Sequence, residues 1–182
     1  MNLLQNKNFA ACAMVAMIIV GTLAGSHNSL MGIREEAAAV FVVGARGDGI
    51  GIQGDLRERY NAAYNLLGIA RKYLPEENIL IQSVFAARTA MDAAASVRGK
   101  AEADRALEAA VRDLYDVLSG MSLTEQDAGY RQRLYTDFRA RGDTISHDPY
   151  NQRAVAFNRV LSGFPAGLLG SLTGVQALEL FE

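Results

Sequence analysis

From Asn8 to Ile33 the chain carries no Asp, Glu, Lys or Arg, and within that stretch Phe9 to Ala24, FAACAMVAMIIVGTLA, is almost wholly apolar. In lipid such a run satisfies its backbone polar groups only as a helix, so it constrains both the conformation and the surroundings of the N-terminal part. A spanning helix needs about 20 apolar residues and a signal h-region roughly 7 to 15. The run falls between the two classes. Small residues flank Ala24 and Ser26, but neither position makes a clean A-x-A cleavage site, and Cys12 lies too deep for a lipoprotein junction. The expectation is an uncleaved anchor, with a cleaved signal as the alternative. A buried core helix fits least, because the run is terminal and lacks polar periodicity.

Lys7 and the amino terminus precede the run, whereas Arg34 is followed at once by Glu35 and Glu36. The positive-inside bias then predicts a cytoplasmic N-terminus and an extracytoplasmic remainder. The chain is expected to divide into an anchor with its flank at 1–34 and a helical domain at 35–182.

The remainder reads as all-α. Ala and Leu dominate, Trp is absent and only three prolines occur in 182 residues, a composition that favours helices packed by small and aliphatic side chains. A net charge of −2, with arginines interleaved among acids, offers no basic surface for nucleic acid. The single cysteine, Cys12, permits neither an intrachain disulfide nor a thiolate metal site.

In DLRERYNAAYNLLGIARKYL, Leu56, Tyr60, Ala63, Leu67, Ala70 and Leu74 alternate at spacings of four and three, a heptad seam for a helix packed along its length. Pro75 fits the first position of a second helix, with Glu76 and Glu77 at its positive end. That helix carries Ile81, Val84, Phe85, Met91 and Val97 and is expected to end near Gly99. A third runs from Asp104 to Leu118 with Leu107, Val111 and Leu114 on its face. Ser122 and Glu125 form a capping box for a fourth, with Tyr130, Leu134 and Phe138 on one side, until Pro149 interrupts it with Asp148 as cap. Acid-to-base pairs at i,i+4 (Asp55 with Arg59, Glu108 with Arg112, Asp127 with Arg131, Asp137 with Arg141) read as solvated helix faces, each adding ~0.2–0.5 kcal/mol.

Between these elements VFVVGARGDGIGIQGDL spells G-x-G-x-x-G with Gly49, Gly51 and Gly54. A dinucleotide fold requires a second strand after the following helix and an acid about 20 residues beyond the glycines. Glu76 and Glu77 precede a run that continues as helix, so the second strand is missing. The glycine-rich loop at 44–54 is expected to be a turn between helices. Nucleotide or small-ligand binding there, or an enzyme built on it, is the alternative. Arg46-Gly47-Asp48 forms an RGD triplet, which would suit a secreted adhesion module, and Asp48, Gln53 and Asp55 lack the ligand density of a calcium loop.

Catalytic, cofactor and metal residues are not recognisable. His27 and His147 are the only histidines, and no H-E-x-x-H, G-x-S-x-G or Walker pattern occurs. His147 is expected in a solvent-facing turn. Glu76 with Glu77, or Asp104 with Glu108, would permit a carboxylate pair, but their spacing is that of a helix surface. More distinctive are four aromatic-asparagine pairs: Tyr60-Asn61, Tyr64-Asn65, Tyr150-Asn151 and Phe157-Asn158, the last two seven residues apart. They are expected to pack between helices, with amides bonding across to set register. A polar strip for a partner is the functional alternative.

The segments LRERYNAAYNLLGIARKYL (56–74) and YNQRAVAFNRVLSGFPAGLLGSLTG (150–174) resemble the LemA family of bacterial membrane-anchored proteins. Tyr150, Asn151, Phe157, Asn158, Phe164, Pro165, Leu168 and Gly174 match its C-terminal pattern, and FAAR at 85–88 is similar to a mid-chain element. The glycine segment and Pro149 depart from the family pattern. The resemblance implies an N-terminal membrane helix followed by an antiparallel bundle of long helices outside the cytoplasm, with no established catalytic residues.

The stretch after Arg159 has no charge until Glu179. Its glycines and Pro165 argue against a second span, so Phe164, Leu168, Leu169, Leu172 and Val175 are expected to dock on the bundle end, with the membrane surface as the alternative. The combined reading is a single-pass, non-catalytic binding or scaffold protein of the cell envelope. It needs no cofactor, and its expected partners are the membrane, an envelope protein and a second copy of itself.

Overall fold

A computed structural model describes residues 7–45, 47 and 49–182. Among the described residues the chain forms seven helices: α1 (Lys7–Val43), α2 (Ile52–Ala70), α3 (Ile79–Ala93), α4 (Val97–Ser119), α5 (Glu125–Ser146), α6 (Tyr150–Ser162) and α7 (Ala166–Thr173). Two compact units result, one combining residues up to 38 with 152–178, the other 39–151 with 179–182. Arg46 and Asp48 lie outside the described residues, and with them the RGD and calcium expectations.

The second unit is an up-down-up-down bundle of α2 to α5, in which α2 packs along α5 and α3 along α4. The buried line on α2 is Ile52, Leu56, Arg59, Ala63, Leu66 and Ala70, joined by Asp55, Leu67 and Ile69. It is shifted from the expected seam, since Tyr60 and Leu74 are only half-buried. The shifted seam makes Arg59 a core residue. The rest of the core is as the apolar spacing predicts: Ile81, Val84 and Met91 from α3, Leu107, Val111, Leu114 and Leu118 from α4, and Leu134 and Phe138 from α5. Phe85 and Tyr130 are exposed.

Several helix ends move from their expected places because side chains cap them. Asn78 accepts from the Leu80 N–H at 2.9 Å and starts α3, leaving Pro75 to Glu77 in the preceding turn. Ser96 accepts from the Gly99 N–H at 3.0 Å, so α4 begins seven residues before Asp104. Thr124, rather than Ser122, caps α5 through the Asp127 N–H. These hydroxyls and amides satisfy N–H groups that have no partner within their own helix. Asp148 accepts from the Tyr150 N–H at 2.8 Å and opens α6, the role expected of it beside Pro149. Burial pushes its carboxyl above the usual range.

The charged residues form bridges between helices, contrary to the solvated-face expectation. The Arg59 guanidinium, fully buried, donates to Asp104 at 2.7 Å, to Glu108 at 2.8 Å and to the Phe138 carbonyl at 3.1 Å, and lies 4.0 Å from the Phe138 ring centroid. Gly142 makes this possible, since a Cβ there would collide with the guanidinium. Asp55, also buried, pairs with Arg141 at 3.0 Å. Asp127 accepts from Lys72 and the Tyr73 hydroxyl, each at 2.7 Å. Those two bonds hold the Asp127 carboxyl below its usual range, and the same contact raises Lys72. Asp104 moves the other way, because its burial outweighs the nearby Arg59 charge. In a low-dielectric interior a charge without a counter-charge is strongly destabilising, which explains why partners come from neighbouring helices.

α1 continues from the expected anchor through residue 34 without a break, up to Val43 before the glycine-rich loop. Its turn into α2 uses three glycines in the left-handed region, Gly44 (φ 75°), Gly47 (φ 68°) and Gly49 (φ 79°). Gly51 has a different reason to be glycine: a Cβ there would fall 2.6 Å from the Phe41 carbonyl and 2.7 Å from that of Val40. No strand occurs among the described residues, so the G-x-G-x-x-G pattern lacks a βαβ setting.

In the first unit the most apolar 18-residue window of α1 has a mean hydropathy of 2.1 and is 0% buried. Beyond it Leu30 is buried, as are Ala154 and Phe157 of α6 and Val175 and Leu178 of the tail. In the uncharged C-terminal stretch Val175 is buried within this unit and Leu169 is half-buried, whereas Phe164, Leu168 and Leu172 face outward.

Replacing Arg59 by Met strands Asp104 and should lower stability by about 3–5 kcal/mol; adding Asp104→Leu should restore part of it, since Glu108 can turn to water. Urea unfolding followed by helical circular dichroism reads both. Gly51→Ala should cost about 1–3 kcal/mol by overpacking against backbone, where Gly54→Ala, with its nearest atom at 3.6 Å, costs less by the same measurement.

Candidate functional site

The aromatic-asparagine pairs separate into two places. On α2, Tyr60 and Tyr64 are one turn apart and receive Arg88 of α3, whose guanidinium carbon lies 3.9 Å and 4.8 Å from the two ring centroids. Arg88 Nε also donates to the Tyr60 carbonyl at 3.3 Å. Asn61 and Asn65 are exposed and do not set interhelical register as expected. They line an open cleft of about 440 Å³ between α2 and α5, with Glu58, Asp137, Arg141 and Thr144 around them. Its walls supply amide, carboxylate, guanidinium and hydroxyl groups suited to hydrogen bonding a polar surface.

The second pairs, at Tyr150-Asn151 and Phe157-Asn158, engage the extended C-terminal segment. In the first unit, Asn158 Nδ2 donates to the Leu178 carbonyl at 2.9 Å, and the Leu178 N–H donates to Asn158 Oδ1 at 2.8 Å. In the second, Asn151 does the same to Phe181, at 2.9 Å and 2.8 Å. A carboxamide presents one donor and one acceptor side by side, matching the N–H and C=O that one extended residue turns to the same side.

Within the second unit the segment's end has further partners. The Tyr150 hydroxyl donates to the Glu179 carbonyl at 2.7 Å. The Glu179 carboxylate accepts from the Arg98 N–H at 3.1 Å, in the first turn of α4, where the helix dipole favours negative charge. Phe41 contacts Tyr150 edge-on at 5.2 Å between centroids and Phe181 at 6.1 Å. Tyr150 and Phe157 are both buried, as aromatic packing predicts. The amides differ from expectation, because their partners are the tail's backbone rather than other helices. Phe164 and Pro165 take no part: they lie between α6 and α7, and Phe164 is 89% exposed.

Of the carboxylates considered for catalysis, Asp104, Glu108 and Glu76 have structural partners. Asp104 and Glu108 share Arg59, and Glu76 pairs with Arg71 at 2.8 Å. His147 is exposed at the end of α5, the turn position expected of it. Among the described residues no three His, Cys, Asp or Glu side chains gather as a metal site would require.

Residues 50–182 match the LemA family model. The chain belongs to the LemA family. The matched span holds the bundle, the α2–α5 cleft and both asparagine clamps, while α1 precedes it. LemA-family membership and the exposed apolar window of α1 describe a membrane-associated helical protein. No curated protein and no solved structure matches the chain.

Asn151→Ala and Asn158→Ala should each remove about 1.5 kcal/mol of local stability, a roughly tenfold faster hydrogen exchange at Phe181 and Leu178 respectively. Asn158→Asp keeps the acceptor and loses the donor, so exchange at the Leu178 amide should lie between the wild-type and alanine rates.

Proposed function

We propose that this LemA-family chain is a single-pass, non-catalytic binding or scaffold protein of the bacterial cell envelope, with its N-terminus in the cytoplasm and its helical domain outside. The observation that carries this reading is the apolar window of α1, none of it buried, on a helix that continues into the folded part of the chain. Lipid is the surrounding in which that surface is stable. The orientation follows from Lys7 before the window and the Arg34-Glu35-Glu36 sequence after it. The non-catalytic assignment is supported by the use of the charged side chains: Arg59 pairs with Asp104, Arg141 with Asp55 and Lys72 with Asp127. The binding surface is the polar cleft between α2 and α5, and the partner is an envelope protein or a second copy.

Ligand binding by the glycine-rich loop competes with this reading. Against it stands the packing role of Gly51 on the α1 backbone. The adhesion-module alternative rests on Arg46 and Asp48 and requires a cleaved N-terminus.

The test is expression of the full chain in a bacterial envelope. Intact Met1-bearing protein is expected in the membrane fraction, degraded by protease added to spheroplasts, and crosslinked to an envelope protein through residues placed at Asn61 or Asn65. A mature N-terminus near Gly25 or His27, or protection from external protease, overturns the anchored orientation. Recovery of the chain alone, under conditions that capture a control complex, overturns the scaffold role.

A further inference from the structure

Leu168 and Leu172 are one turn apart on α7 and share one face of it, Phe164 stands in the turn just before the helix, and the three are 55%, 64% and 89% exposed. The opposite side of α7 is the packed one. Gly170 is buried there, and a Cβ added to it would lie 2.5 Å from Leu161 Cδ1 and 3.8 Å from Leu30 Cδ1. Gly170 of this helix therefore lies beside Leu161 of α6 and Leu30 of α1, inside the first unit.

Leu30 has a defined place relative to the anchor. A span of about 20 residues counted from Phe9 ends near Asn28, half a turn before it. The tail beyond α7 meets α1 one turn further on, where Arg34 Nε donates to the Gln176 carbonyl at 2.9 Å. From Gly170 beside Leu30 to Gln176 beside Arg34 the polypeptide thus moves away from the spanning segment. No charged side chain occurs from Val160 to Leu178, so nothing on α7 opposes contact with lipid.

We infer that α7 is a membrane-surface helix that inserts Phe164, Leu168 and Leu172 into the outer boundary of the same bilayer that α1 spans. The inference rests on the anchor reading of α1. Three apolar side chains alone bind a bilayer weakly, but α1 already holds α7 at the surface, so insertion adds no cost of bringing protein and membrane together. The occupant is lipid acyl chain and not an anionic headgroup, since the stripe carries no basic residue. Gly163, the Pro165 corner and Gly167 let α7 leave the line of α6, and Gly167 itself lies where a Cβ would be 2.8 Å from the Leu161 carbonyl.

The absence of Trp from the chain makes the test direct, because a single introduced Trp is the only indole. Full-length Phe164→Trp, Leu172→Trp and Val15→Trp are reconstituted separately in phosphatidylcholine vesicles, and circular dichroism checks that each retains its helix. Phe164→Trp and Leu172→Trp should emit at shorter wavelength than free indole, lose intensity in lipids brominated near the headgroup end of the acyl chain, and resist iodide. Equal behaviour is expected when part of the lipid is phosphatidylglycerol. Val15→Trp should be quenched by lipids brominated deep in the chain.

If Val15→Trp is quenched by lipid while both α7 reporters are open to iodide, the surface-helix proposal is overturned and the anchor stands. Blue-shifted α7 reporters that brominated lipid does not quench would mean that protein covers the stripe, which also overturns it. If Val15→Trp is not quenched by lipid, the anchor reading fails, and this proposal with it.

Discussion

A guanidinium with no access to water must have its charge balanced and its donors filled, and in this bundle that requirement falls on Arg59. Its partners come from two other helices, carboxylates from α4 and a carbonyl with its aromatic ring from α5, so three helices have to arrive in one relative placement. Apolar packing alone tolerates small slips along a helix axis. A buried ion with directed hydrogen bonds does not. Gly142 shows the accommodation on the other side: α5 accepts the helix-interior glycine, which disfavours helix by about 1 kcal/mol relative to alanine, to make room for the guanidinium. The Asp55–Arg141 and Lys72–Asp127 bridges act at the two ends of the α2–α5 pair and define the same register.

The C-terminal segment is held by a different device. A chain segment outside any helix or sheet has unpaired N–H and C=O groups, and buried ones must find partners. Asn151 and Asn158 act as those partners, each completing one residue of the segment as a β-strand neighbour would. Residues of the tail thus belong to each unit, and within the first unit the Gln176 carbonyl accepts from Arg34 while Gly170 of α7 lies beside Leu30.

Much of this was legible in the residues. The apolar run, the seams on α3 and α4, the break at the glycines and the start of α6 beside Asp148 follow from local rules of periodicity, capping and backbone freedom. The all-α class and the LemA resemblance were legible for the same reason, since both rest on short-range pattern. Helix starts were less legible. Asn78, Ser96 and Thr124 are capping residues in plain view, but each competes with a nearby alternative (Pro75, Asp104, Ser122) whose local signal is as strong. Among the candidate residues, the burial of Tyr150 and Phe157 was readable from their spacing, and the amide partners were not.

What the sequence determined by itself is the set of elements: an apolar helix at the N-terminal side, long amphipathic helices after it, and a turn that only glycine permits at Gly44, Gly47 and Gly49. These depend on interactions within a few residues. Tertiary structure decided the rest. Asp55 and Arg59 are one helical turn apart and would pair on an isolated helix, yet once buried each takes a partner from another helix, Arg141 and Asp104. Likewise, nothing near Asn151 in the chain announces Phe181. Pairings of this kind follow from desolvation and from which polar groups the fold places opposite one another, and both exist only after the helices have packed.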